Sequence, residues 1–523
     1  MTRKSDKGVL VAQWGLVVVV LGLLELGTRS GFIDRLTLVP FSNIWNALVA
    51  GIRSGRFGPH VVASLGVMLE AFLLAVVIGI PVGYGFSVKP RIYRLVRPYI
   101  ESYYCLPVFV FYPVAIAMMG LSRWPALIIV WTWAVGGVIV NTVIGFNKVP
   151  AALEKYCRSV HLTEWQKLLH VRLPAASPSI LTGIKLAVVY AISGTIGVEF
   201  ILSSRGVGKL ISIAFNDFRT AEMYALILMV VMFGAVCHLG LDHIETRLMR
   251  LQAYAVDHGA SAPPDKRSRG DVGVLSGPGR FLMPGMVPLV AVLAWYGLSL
   301  AVGVDKLATP VGAVMAAKDD FLDGTLKSVF SGTLTETLIS FVLSACVGLL
   351  LGLVLGRFPV IRKILGPWIT AAYTVPKIVL FPILLFLFGL GTSSRIAYGF
   401  LHAAPAIMLF TIAGLMAVNP GHLKYARSLQ LSGWKAFRHI VLPSAVPEIL
   451  SGLRLGLGMC FLGVLVAEML FGASEGAGFA VVQSSVAGDT SRLMAYVVSI
   501  FALVLLANYF MAFVTLRPDR ALR

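Results

Sequence analysis

The chain has 523 residues, 57% of them hydrophobic and only 13% charged, with 44 Lys and Arg against 25 Asp and Glu. A mean hydropathy of +0.84 excludes a string of soluble domains and indicates an integral membrane protein. The formal charge of +19 could suggest nucleic acid in a soluble protein, but in so apolar a chain it is better explained by a membrane, and no nucleic-acid partner is expected.

Taken in chain order, apolar runs long enough to cross a bilayer occur near 9–27, 62–86, 101–120, 124–146, 178–202, 222–245, 281–303, 333–356, 368–390, 395–416, 447–471 and 493–516. The expected fold class is therefore an all-α integral membrane protein with about twelve transmembrane helices. Arg3, Lys4 and Lys7 before the first run look like the start of a signal peptide, yet the run is too long and no A-x-A site follows, so an uncleaved first helix is expected. Five cysteines stand singly, without metal or disulfide spacing. Of the 44 basic residues, 28 fall in alternate connections, which by the positive-inside rule places both termini in the cytoplasm.

A constant offset of 269 aligns the chain with itself: Leu65 with Leu334, Gly79 with Gly348, Gly83 with Gly352, Pro107 with Pro376, Pro113 with Pro382, Gly120 with Gly389 and Glu199 with Glu468. After a one-residue slip, Gly206 and Gly208 meet Gly476 and Gly478. Six crossings per half give both halves the same orientation, so they form two parallel six-helix repeats. The expected division is a first transmembrane domain at 1–250 (core 60–250), a Gly/Pro/Ser-rich cytoplasmic linker at 251–280, and a second transmembrane domain at 281–523 (core 330–517).

Within the spans, Pro107, Pro113, Pro376 and Pro382 remove backbone donors and must face protein or a cavity, either as packing kinks or as pore lining. Glu199 and Glu468, near the far end of the fifth helix of each half, are functional-site candidates by their cost in a membrane, or else caps of a following turn. Lys185 and Arg454 mirror each other and can snorkel toward the cytoplasm. Lys377 has Val108 at its mirror position, which makes it the clearest sign of asymmetry in the pathway. These prolines, the two glutamates and Lys377 are the candidate pore residues. GVGKL at 206–210 lacks the earlier glycine and the Ser/Thr of a phosphate loop, and no catalytic motif is present, so no enzyme, metal or bound cofactor is expected.

The most closely repeated stretch is basic and amphipathic: KYCRSVHLTEWQKLLHVRLP at 155–174 and KYARSLQLSGWKAFRHIVLP at 424–443, with nine identical positions in twenty. Short helices are expected, with Leu153, Tyr156, Val160 and Leu162 on one side, and with the Leu-Pro pair opening the fifth span. Such a loop could lie on the anionic inner leaflet, but two matching handles on one face suit a two-fold partner.

This stretch resembles the EAA-type loop of bacterial ABC importer permeases. The longer patterns at 158–188 and 426–458 resemble the nitrate/sulfonate/taurine branch, over about 60–250 and 330–517. The resemblance implies a type I importer membrane-domain fold with both permease domains fused in one chain and both loops docked on cytoplasmic ATPase subunits. Two such subunits would use the ATP, and an extracytoplasmic binding protein would deliver a small solute. It makes Lys155, Tyr156, Arg158, His161, Trp165, Leu173 and Pro174, with Lys424, Tyr425, Arg427, Gln430, Trp434, Leu442 and Pro443, the expected ATPase-coupling residues. The departures are Lys155 and Lys424 at the Glu of the EAA pattern, and His161 and Gln430 at its Gly. An ion-coupled secondary transporter of two parallel halves is the alternative reading.

Overall fold

The protein is represented by a computed structural model that describes residues 2–31, 37–89, 92–93, 96, 107–203, 205–256, 279–418, 421–422, 424, 428–470 and 475–516. The described residues are helical and irregular, without strands. Nine helices among them are long and apolar enough to cross a membrane, four from Gly58 to Arg247, four from Thr325 to Ala507, and one near the N-terminus at Val11–Arg29. The run expected at 281–303 is the helix Gly279–Val302. Most of the linker lies outside the described residues, although the preceding helix, Thr220–Val256, continues through its first residues.

The scaffold of each half is a trio of long helices: Gly58–Val88, Arg123–Asn147 and Leu173–Leu202, matched by Thr325–Arg357, Thr392–Met416 and Leu442–Leu470. In lipid there is little hydrophobic gain in bringing helices together, so close packing must come from small residues. The mirrored glycines supply it. A Cβ on Gly83 would lie 2.6 Å from that of Thr142, and one on Gly352 would lie 2.6 Å from that of Thr411. Gly79 against Val138 and Gly348 against Ile407 repeat the contact one turn away, at 2.8 and 2.9 Å. Gly83→Ala and Gly352→Ala are each expected to destabilise the protein by about 1–3 kcal/mol through overpacking, read as a lower melting temperature in detergent. A neutral effect of both would contradict this packing.

The third span of the second half is broken at its proline, and the described part of the matching span in the first half, from Pro107 on, has the same build. The prolines expected as kinks at 101–120 and 368–390 therefore do more than bend a helix. Residues 97–106 lie outside the described set. Pro107 opens a 3₁₀ turn, Val108–Phe111, that leads into the helix Tyr112–Met119. In the second half the helix Pro359–Thr374 stops, Pro376 opens the turn Lys377–Leu380, and the helix Phe381–Phe388 follows. The cause is the proline: it has no N–H to give and disfavours helical backbone at the residue before it. Pro113 and Pro382 sit in the first turn of the helices that resume, where a missing donor costs little.

Four short helices were not visible as apolar runs. Phe41–Arg53 and Pro310–Leu322 precede the scaffold of each half, and Val207–Asn216 and Ala477–Val486 follow it. The last pair crosses between halves. Phe215 packs edge-on against Phe386 at 5.2 Å, and Ser485 donates to the Pro113 carbonyl at 3.4 Å, so each half's short helix rests on the broken span of the other. Lys185 does not snorkel alone: it pairs with Asp242 and Glu245 of the last helix of its half.

Candidate coupling loops and central site

The first loop is built from local capping. After the helix Ala151–Ser159, Leu162 N–H donates to Cys157 O at 3.1 Å and His161 N–H to Arg158 O at 3.2 Å. These two bonds define a Schellman ending, whose C′ residue must take left-handed backbone. His161 does so, with φ of 49°, and Gln430 has φ of 50° at the same place in the second loop. The position calls for left-handed backbone, which glycine takes freely and which His161 and Gln430 adopt under strain. Both side chains are exposed. His161→Gly and Gln430→Gly should each stabilise the fold by up to about 1 kcal/mol, seen as a raised melting temperature. A decrease would assign the side chains a contact of their own.

Thr163 then caps the helix Glu164–Lys167 through a reciprocal box with Gln166. Ser432 accepts from Lys435 N–H in the second loop. The helix does not begin at Leu-Pro as expected. It passes through Leu173-Pro174 and Leu442-Pro443 by means of π-helical turns at Leu168–Arg172 and Phe437–Val441, giving single apolar helices of 38 residues, Glu164–Ile201 and Gly433–Leu470. A π turn shifts the hydrogen-bond ladder by one residue, which accommodates the donor that proline lacks.

Trp165 and Trp434 stand at the tips, 74% and 68% exposed. Tyr156, Leu153 and Val160 are exposed as well, so the apolar side of the first loop faces outward and Cys157 faces in. Lys155, Arg158, Pro174, Lys424 and Pro443 are also exposed, while Leu173 and Leu442 are half-buried. Tyr425 and Arg427 lie outside the described residues. One contact escaped sequence reasoning. Arg172 grips Glu154 with two bonds, of 2.6 and 3.0 Å, tying the loop helix to the base of the span. Its guanidinium holds the Glu154 carboxyl below the usual carboxylate range, against the opposing effect of burial. The second loop has Leu423 and Val441 at the mirror positions, so this anchor belongs to the first loop.

At the other end of the same helices the two glutamates form duplicate brackets. Glu199 accepts from the Gly208 N–H at 3.0 Å and from Ser64 Oγ at 2.7 Å, and Ser64 Oγ in turn accepts from Val207 N–H at 2.9 Å. Glu468 accepts from the Gly478 N–H at 2.8 Å and from Thr333 Oγ1 at 2.7 Å, with Ala477 N–H on Thr333 at 2.9 Å. Each carboxylate thus satisfies the start of a short helix. Gly206 and Gly476 have φ of 120° and 114°, and a Cβ there would collide with the carboxylate, so only glycine fits. The partners Ser64 and Thr333 are themselves 269 residues apart, a signal already present in the repeat.

Between the halves lies a cavity of about 90 Å³. Phe109, Trp133 and Tyr190 line it from the first half, and Lys377, Tyr398 and His402 from the second. Trp133 stacks on Tyr190 at 4.9 Å, and Phe109 meets Trp133 edge-on at 4.9 Å. Lys377 is buried. His402 Nδ1 donates to the Tyr398 carbonyl at 3.0 Å, leaving Nε2 as the acceptor. Of the candidate pore residues, only Lys377 is among those lining this cavity; Glu199 and Glu468 are in the brackets, Pro107 and Pro376 open the 3₁₀ turns, and Pro113 and Pro382 sit in the first turn of the helices that follow. The aromatic wall and His402 were missed, because mirrored positions here carry different residues.

Two helical bundles flanking a central cavity, each with a loop of similar build at one end, define a duplicated membrane permease. The chain belongs to the family of binding-protein-dependent transport system inner membrane components, which matches residues 75–250 and 344–523, more than half of its length. It is thus a multi-pass transport component rather than an enzyme. Its sequence is 30% identical over 222 residues to the putative aliphatic sulfonates transport permease protein SsuC of Bacillus subtilis, covering 42% of this chain and 79% of that one. It is 32% identical over 230 residues to the nitrate import permease protein NrtB of Synechococcus elongatus (42% and 82%). It is also 32% identical over 178 residues to the taurine transport system permease protein TauC of Escherichia coli (34% and 62%). Each relative matches only about a third to two fifths of this chain, in keeping with a fusion of two units.

Proposed function

We propose that this chain forms the whole translocation pore of an ABC importer, with both termini in the cytoplasm. Two cytoplasmic ATPase subunits would bind residues 155–174 and 424–443, and a binding protein would deliver the solute at the opposite face. The ATP would be bound and used by the partners. The substrate class favoured is a small sulfonate-, nitrate- or taurine-like anion, with a small heterocyclic nutrient as the other candidate. The observation that carries this reading is the duplicated, outward-facing tryptophan at the tip of each loop, on a helix that runs unbroken into the wall of the central cavity.

That continuity supplies a mechanism. From Trp165 to Tyr190 the helix spans about 38 Å at 1.5 Å per residue, so a displacement of the loop is carried directly to the cavity wall. On the other side, Met459 and Leu462 stand on the helix of Trp434. Closure of the two ATPases would rock one half against the other, giving alternating access.

Lys155 and Lys424 are exposed where the family pattern has an acid, so the ATPase groove is expected to carry acidic or neutral residues there. The double variant Lys155→Glu, Lys424→Glu should reduce co-purification of the ATPase by about tenfold at low salt and less at high salt. Unchanged co-purification would remove charge at these positions as a docking determinant.

A further inference from the structure

The central cavity is not symmetric, although the helices around it are. Its pseudo-equivalent positions pair Val108 with Lys377, Phe109 with Ile378, Trp133 with His402 and Tyr190 with Met459. The first half therefore contributes an aromatic wall, and the second contributes an ammonium group and an imidazole acceptor. The described lining residues include one lysine and no carboxylate. Within so apolar a lining an ammonium interacts strongly with any anion admitted beside it, since the surroundings screen little. A volume near 90 Å³ is several times the ~10–15 Å³ that one water needs and below the ~150 Å³ cavity that holds benzene. It therefore suits a compact ion with a short apolar part rather than a ring.

We infer that this cavity is a single anion-binding site within the pore, selecting a compact sulfonate- or carboxylate-sized monoanion through Lys377. The apolar end of the ion lies against Phe109 and the Trp133–Tyr190 stack. The inference rests on the permease reading and adds a second selection step after the delivering protein. Because the lysine occurs on one half only, one anion binds per chain.

The test is equilibrium binding of radiolabelled methanesulfonate, acetate and nitrate to the full chain in lipid nanodiscs, with no other protein present. Dimethyl sulfone serves as the uncharged control. Saturable binding of at least one anion near one per chain is expected, without binding of dimethyl sulfone. Lys377→Met should weaken it about 10- to 100-fold, the worth of a charge-assisted hydrogen bond, and Lys377→Arg should retain most of it. Lys377→Met should keep the parent's helical circular dichroism and its elution volume on size exclusion, which separates lost binding from misfolding. Moving the lysine across the pseudo-two-fold, in Val108→Lys with Lys377→Val, should restore part of the affinity. Unchanged binding in Lys377→Met, equal binding of dimethyl sulfone, or no saturable binding of any of the three anions would each overturn the inference. ATP-driven uptake by the assembled complex is a separate readout, so failure here leaves the permease reading standing, and loss of that uptake in the parent would sink the permease reading instead.

Discussion

Trp165→Ala combined with Trp434→Ala is expected to abolish stable association with the ATPase subunits while leaving the membrane fold intact. Both indoles are largely exposed and lie at the tips of capped helices, so their removal leaves no void in the protein. Large exposed aromatics at the centre of an interface typically carry 2 kcal/mol or more each. Losing two corresponds to roughly a thousandfold weaker association. The check is pull-down of the ATPase together with a melting curve of the double variant. Retained association at parental levels would move the docking surface away from these loops. Each single variant should show an intermediate loss, because the second loop still engages its own subunit.

Glu199→Ala and Glu468→Ala should each destabilise the protein by about 3–5 kcal/mol. The substitution strands a backbone N–H and a hydroxyl inside the protein, each at about 1–3 kcal/mol, and leaves a cavity as well. Glu199 is 4% and Glu468 2% exposed, so water cannot take over these bonds. Glutamine keeps the shape and one acceptor, so Glu199→Gln and Glu468→Gln should cost about half as much. The ordering Ala worse than Gln, seen in both halves by thermal unfolding, is the expected signature. Equal and small effects would mean that the brackets do not hold the short helices Val207–Asn216 and Ala477–Val486 in place.

Much of the architecture was legible from the repeat. The offset of 269 linked Gly83 to Gly352, and their contacts with Thr142 and Thr411 show why glycine recurs. The departures from the EAA pattern at His161 and Gln430 became intelligible only with the backbone, since an αL position is a property of the turn and not of hydropathy. The Leu-Pro pairs misled for the opposite reason. Proline near a loop suggests a helix start, but a π turn lets the helix continue, and only the hydrogen-bond ladder reveals it. The short helices between spans were hidden because they are too short for a hydropathy run. The central cavity was hidden because repeats reveal identity, whereas this cavity is made where the two copies differ: Trp133 against His402, and Val108 against Lys377.

The central claim is that one chain supplies both halves of the pore and engages two ATPase subunits through its duplicated loops. Native mass spectrometry of the complex purified from membranes through a tag on this chain tests it most directly. One copy of the chain with two ATPase copies is predicted; two copies of the chain per complex, or a chain that transports with no ATPase attached, would contradict it.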